Sequence, residues 1–108
     1  PLLPFFFQDR IGYEPEELVQ KGMDSERTRI VLNAASEKLS TLDPFDTESI
    51  ENLLRPLSKE LDVKVGQLLG SLRVATTGLK VSPPIFETIE ALGRDQTVKS
   101  IQDAIERL

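Results

Sequence analysis

Residues 68–86 read L-L-G-S-L-R-V-A-T-T-G-L-K-V-S-P-P-I-F. Within residues 64–77, Val65, Leu68, Leu69, Leu72 and Thr76 recur at three- and four-residue steps, the spacing of one helix face turned inward. Gly78 stops that helix. Ser82 then offers a cap, and Pro83-Pro84 suit the first turn of a new helix because a proline there gives up a donor the helix does not use. The stretch therefore predicts a helix, a short turn and a second helix ending at Gly93. Arg73 sits at the edge of the apolar stripe, near the end of the first helix.

The same punctuation runs outward in both directions. Pro15 followed by E-E-L-V-Q-K and Gly22 predicts a short helix. Asp24 or Ser25 caps a longer one whose Val31, Leu32, Ala35, Leu39 and Leu42 form a buried stripe, ended by Asp43-Pro44. Asp46 or Thr47 caps the next, with Ile50, Leu53, Leu54, Leu57 and Leu61 on one face. Pro56 is expected to interrupt and kink it, because proline lacks the N–H and crowds the preceding turn. Asp95 caps a last helix with Val98, Ile101, Ile105 and Leu108 inward. Leu79-Lys80-Val81 is too short for a strand. The fold class is all-α: a compact helical bundle or cage of about six helices with short connections.

At 108 residues the chain is one domain over 1–108, or two small helical subdomains, 1–78 and 79–108, sharing a core. Its 39% hydrophobic content supports a modest core. No cysteine and no histidine occur, so disulfides, thiolate metal sites and the usual general base are excluded. No apolar run approaches the roughly 20 residues that span a bilayer. The opening Pro1-Leu2-Leu3-Pro4-Phe5-Phe6-Phe7 has neither a methionine nor a basic flank; it reads as the start of a piece of a longer, cytosolic protein. Phe5, Phe6 and Phe7 are expected to pack on the bundle or on an upstream domain.

The net charge of -5 argues against a general nucleic-acid binder. The distribution is uneven, however. Residues 53–80 carry Arg55, Lys59, Lys64, Arg73 and Lys80 against only Glu60 and Asp62.

Catalytic motifs are missing: there is no nucleophile–base pair, no G-x-S-x-G and no glycine-rich phosphate loop. The pairs Glu16/Glu17 and Glu48/Glu51 suit solvated helix faces and first turns. Gly66 and Gly70 have the spacing that permits close helix approach. Arg73 has two readings on spacing alone. It is a cation favoured at a helix C-terminus or holding a neighbouring carboxylate, or it is a guanidinium that bonds or stacks on a base of a single-stranded RNA loop. Ser82, beside free helix-start amides, suits base edges or phosphate. Pro83 and Ile85 offer small apolar surfaces for a splayed base. Arg55 is a second candidate, or an ordinary surface arginine.

The motifs L-R-V-A-T-T-G (72–78), S-P-P-I-F-E (82–87) and A-L-G-R-D-Q-T-V-K-S-I (91–101) occur in the order found in the anticodon-binding region of bacterial and organellar glutamyl-tRNA synthetases, and the chain resembles that family over nearly its whole length. Departures are mild: Thr76 where leucine is common, Arg94-Asp95 for Lys-Glu, and Ser100 where a basic residue is usual. The resemblance implies a helical, cage-like domain of class I synthetase type, itself without a catalytic residue, metal or cofactor. ATP and Mg would belong to the catalytic domain of a parent glutamate–tRNA ligase. It implies that Arg73, Ser82, Pro83 and Ile85 contact anticodon bases, and that Arg55, about 18 positions earlier, takes part as in some members.

The implied partner is the anticodon loop of tRNA-Glu, with Lys59, Lys64 and Lys80 adding phosphate contacts. No DNA or membrane partner is expected. The implied state is a monomer in the cytoplasm, or in an organellar matrix if the source is eukaryotic. The alternative from another class is a helical protein–protein interaction or regulatory module, which the acidic N-terminal half suits equally well.

Overall fold

The computed structural model describes residues 14–78 and 84–108. A 3-10 turn at Pro15–Glu17 precedes five α-helices: α1 Ser25–Ser40, α2 Thr47–Glu60, α3 Val65–Thr77, α4 Ile85–Leu92 and α5 Arg94–Arg107. Among the described residues there is no strand, in line with the all-α expectation. The α-helices number five rather than about six, because the segment after Pro15 makes only that three-residue turn. Glu14 donates its N–H to Glu17 Oε2 at 2.7 Å. The Leu18 carbonyl, which would continue a helix, instead accepts from Ser71 Oγ of α3 at 2.7 Å. A run this short nucleates poorly, and packing decides its shape. The Phe5–Phe7 cluster lies outside the described residues.

Of the two residues the sequence offers at each start, the carboxylates cap α1 and α2. Asp24 accepts from the Arg27 N–H at 2.7 Å and Asp46 from the Ser49 N–H at 2.8 Å, each satisfying a donor that the first helical turn leaves unpaired. Those Ser49 bonds, the backbone one first and the side chain second, hold the Asp46 carboxyl below its ordinary value. Asp95 does not cap α5. Gly93 both ends α4 and precedes α5, at φ 87° and ψ 162°, so no linker remains and Asp95 falls inside the first turn. That positive φ is open to glycine at little cost. The expected interruption at Pro56 does not occur either, since α2 runs through it. The carbonyl left without its donor is that of Asn52, and both residues are exposed, where water satisfies it.

One apolar cluster takes Val31, Leu32, Ala35 and Leu39 from α1, Ile50, Leu54 and Leu57 from α2, and Leu68, Leu72, Val74 and Ala75 from α3. Ile85, Phe86 and Ile89 of α4 join it, as do Ile101 and Ala104 of α5, so it draws on helices from both sides of residue 78. α1 lies along α5, and Gln102 Nε2 donates to Ser36 Oγ between them at 2.9 Å. α4 is fastened to the start of α2, where Glu90 Oε1 accepts from both the N–H and the hydroxyl of Thr47, at 2.6 and 2.5 Å. Arg94 Nη2 donates to the Leu42 carbonyl, and its guanidinium lies 5.3 Å from the Phe45 ring centroid, tying α5 to the α1–α2 connection. Val65, expected inward, is instead exposed at 36%, because the first turn of α3 projects past the core. Of the paired glycines only Gly70 is closely approached: a Cβ there would lie 2.5 Å from Gln20 Oε1, whereas nothing lies within 4 Å of one at Gly66.

Two outcomes test this packing. Leu72→Ala should cost about 2–5 kcal/mol in urea unfolding, while Val65→Ala stays within about 0.5 kcal/mol. The depressed Asp46 carboxyl contributes stability that is present above its unfolded pKa and is lost as pH falls through the lower folded value. Asp46→Asn, which keeps an acceptor at the cap, should flatten the acid side of a stability–pH profile below about pH 4.

Candidate nucleic-acid interface

Arg73 stands five residues before Gly78, about 8 Å along the axis from the end of α3. Its side chain is half-buried. The last turn is unusually well bonded. Thr76 and Thr77 donate their hydroxyls back to the carbonyls of Leu72 and Arg73, at 2.7 and 2.6 Å, and the Gly78 N–H reaches the Val74 carbonyl at 2.8 Å. The hydroxyls add second bonds to carbonyls the helix already uses, while the Gly78 bond takes up the Val74 carbonyl, one of the last four a helix end leaves open. Arg73 precedes the last turn of α3, which holds no basic residue. No ion-pair partner of Arg73 occurs among the described residues.

Pro84 precedes α4, and its carbonyl accepts from the Thr88 N–H and hydroxyl at 3.0 and 2.9 Å. Lys80, Ser82 and Pro83 fall between, outside the described residues. Five residues reach so little that Gly78 and Pro84 stand within about 22 Å of each other. Ile85 departs from expectation. It is 2% exposed and belongs to the core, so its side chain is not an open platform for a base. The cause is local: α4 turns Ile85, Phe86 and Ile89 inward together, and the first of these must follow the other two.

Arg55 lies on α2 and packs against the start of α4. Its guanidinium lies 5.3 Å from the centroid of Phe86, in the first turn of α4. Its Nε donates to Glu51 Oε2 at 2.6 Å, one helical turn back. The Arg55 side chain remains 54% exposed. One ring face and one carboxylate thus fix the guanidinium, while its terminal nitrogens keep donors for another group. Beside it lies a groove of about 380 Å³ lined by Arg55, Pro56, Ser58, Lys59 and Val65. Arg55 thus lies against the first turn of α4, and Arg73 lies on α3 five residues before Gly78.

The Glu51–Arg55 pair was legible as an i, i+4 spacing. The support from Phe86 had no local signal, since it depends on α4 crossing α2. Among the described residues, no group of three or more Asp or Glu could hold a metal ion, and no helix is long and apolar enough to cross a membrane.

An all-helical body accords with what the chain matches: a family described as "Anticodon binding domain" fits residues 1–105, and the chain belongs to that family. Its relatives narrow the class. The chain is 45% identical over 104 residues to the glutamate–tRNA ligase of Roseiflexus castenholzii, covering 96% of this chain and 20% of that protein. It is 43% identical over 104 residues to the glutamate–tRNA ligase of Dehalococcoides mccartyi strain 195, covering 96% and 22%. It is 44% identical over 85 residues to glutamate–tRNA ligase 2 of Rhodospirillum rubrum, covering 79% and 18%. The chain spans about one fifth of the length of these relatives.

The support of Arg55 can be measured. A double-mutant cycle of Arg55→Met and Phe86→Leu, followed by urea unfolding, should return a coupling of about 0.5–1 kcal/mol. Glu51→Gln should cost no more than about 0.5 kcal/mol, as expected of an exposed i, i+4 pair.

Proposed function

We infer that this chain reads the anticodon loop of tRNA-Glu on behalf of a glutamate–tRNA ligase. The observation that carries this is Arg55, exposed yet braced on the first turn of α4, with the half-buried Arg73 on α3, in a chain of the anticodon binding domain family. Arginine presents a flat fork of donors and a face that stacks, and loop bases splayed from their neighbours expose edges and faces that match it. In this reading Arg73 bonds a base edge. Arg55, already braced by Phe86 and Glu51, bonds or stacks on a second base. Ser82 and Pro83 contribute from the connection itself, and Lys80 meets the backbone. Ile85 acts by seating the start of α4, through its burial, rather than by touching RNA. A protein–protein role has no comparable observation behind it.

The chemistry of aminoacylation lies outside these residues. The parent enzyme takes ATP and Mg at a catalytic domain of its own, and works as a monomer in the cytoplasm or an organellar matrix. Binding here orients the acceptor end of the tRNA toward that domain.

The test is an NMR titration with the tRNA-Glu anticodon stem-loop. Amide shifts should cluster around residues 73–86. Arg73→Ala should weaken binding by about 5- to 150-fold, the range for losing one good base contact of about 1–3 kcal/mol. Absence of clustered shifts at about millimolar RNA, far above a specific affinity, or shifts indifferent to Arg73→Ala, would sink this reading.

A further inference from the structure

Glu51 is a carboxylate held against the guanidinium of Arg55, and its charge sets it apart from everything else expected to meet RNA. Its Oε2 accepts from Arg55 Nε at 2.6 Å, one helical turn along α2. The contact is single, not the two-pronged fork that an arginine and a carboxylate can make. Among the described residues Glu51 Oε1 accepts no other bond, and the terminal nitrogens of Arg55 donate none. Both side chains are open to solvent, Arg55 at 54% and Glu51 at 40%. Phe86 holds the guanidinium from one face, with its ring centroid at 5.3 Å. A set of donors and an acceptor-only oxygen thus stand on either side of one bond, mounted on a single helix.

This pair divides ligands by their chemistry. Opposite charges 2.6 Å apart largely cancel a short distance away, and salt screens what remains beyond about 8 Å. A phosphate therefore gains little from Arg55 and meets a like charge in Glu51. Exposed pairs at this spacing also add little to stability, so the fold draws small benefit from the carboxylate. A base edge is different. It sets acceptors beside N–H donors, and in a single-stranded RNA loop that edge is uncovered. Arg55 can give to the acceptor while Glu51 takes the neighbouring N–H. An ionised carboxylate has no proton to offer, so a base that turned a keto oxygen or a ring-nitrogen lone pair toward it would be repelled.

We propose that Glu51 is a specificity-determining residue. It accepts an N–H from the Watson–Crick edge of the same loop base that Arg55 contacts, and it rejects bases that place an acceptor there. This rests on the anticodon reading, and it assigns Arg55 to hydrogen bonding on a base edge rather than to stacking or to phosphate.

The full chain, as wild type, Glu51→Gln, Glu51→Ala and Arg55→Met, is titrated with the tRNA-Glu anticodon stem-loop and with loops in which each anticodon base is changed in turn to the other three. Urea unfolding of each variant checks the fold. Glutamine keeps the length of glutamate, but its amide can turn over and donate. Glu51→Gln should therefore bind the matched loop within a few-fold of wild type and lose the preference at one loop position. That loss should be about 5- to 150-fold, the range of one good base contact. Glu51→Ala should lose the preference at the same position, and so should Arg55→Met, while the other positions keep theirs. Glu51 variants with wild-type preference at every position overturn the proposal, and they leave the anticodon reading standing if Arg55→Met still weakens the matched loop. Glu51→Ala that binds every loop more tightly and alike also overturns it, since the carboxylate then acts only by repelling phosphate. Wild type that shows no preference for the matched loop removes both.

Discussion

Helix α3 is enclosed by the rest of the molecule, and that enclosure fixes everything else. Leu68, Ser71, Leu72, Val74, Ala75 and Thr76 are all buried, which is far more of the circumference than an amphipathic surface helix gives up. A helix can be surrounded in this way only if some of its side chains are small. Gly70 lets Gln20 lie against the backbone, and Ala75 takes little room. Ser71 is the polar exception. Its buried hydroxyl would be costly without a partner, and it finds one in the Leu18 carbonyl at 2.7 Å. The N-terminal turn and the other four helices are all referenced to this one axis.

With most of one side covered, α3 keeps only a narrow strip, with the half-buried Arg73 on it, to offer a ligand besides its ends. Its C-terminal end leads into the connection to α4. Its N-terminal end carries Lys64, which shares a groove with Lys21. α4 in turn is held twice on α2: at Thr47 by Glu90, and at Arg55 by Phe86. Long basic side chains mounted on backbones fixed in this way combine adaptable reach with a defined starting point. Sites supported by ordered neighbours lose less on binding than sites that must first be ordered.

Much of this was readable before the fold was seen, for a physical reason. Helix punctuation is local, so Asp24, Asp46, Gly78 and Gly93 could be placed from their neighbours alone, and the stripes of α1 and α2 followed from period. What escaped the sequence is what packing decides. Leu18 and Ser71 are drawn together across the chain, and this stops the Pro15 segment from becoming a helix. Gly93 serves two helices at once, which moves Asp95 out of its expected cap. Val65 belongs to the α3 period but lies beyond the core that would bury it. At the candidate interface, residue type pointed to Arg73 and Arg55. Neither the bracing of Arg55 by Phe86 nor the burial of Ile85 could be seen without knowing that α4 crosses α2.

The long pairing of α1 with α5 bears on how the chain comes to exist. Leu32, Ala35 and Leu39 on α1 are fully covered in the finished molecule, and α5, some 60 positions later, supplies much of the cover. During synthesis from the N-terminus, α1 to α4 leave the ribosome while that face still has no lid. At a typical 5–20 residues per second, the interval is on the order of several seconds. For that time the nascent chain shows a contiguous apolar surface that invites a chaperone or a wrong partner. Closure of this face must await emergence of Ile101 and Ala104 of α5.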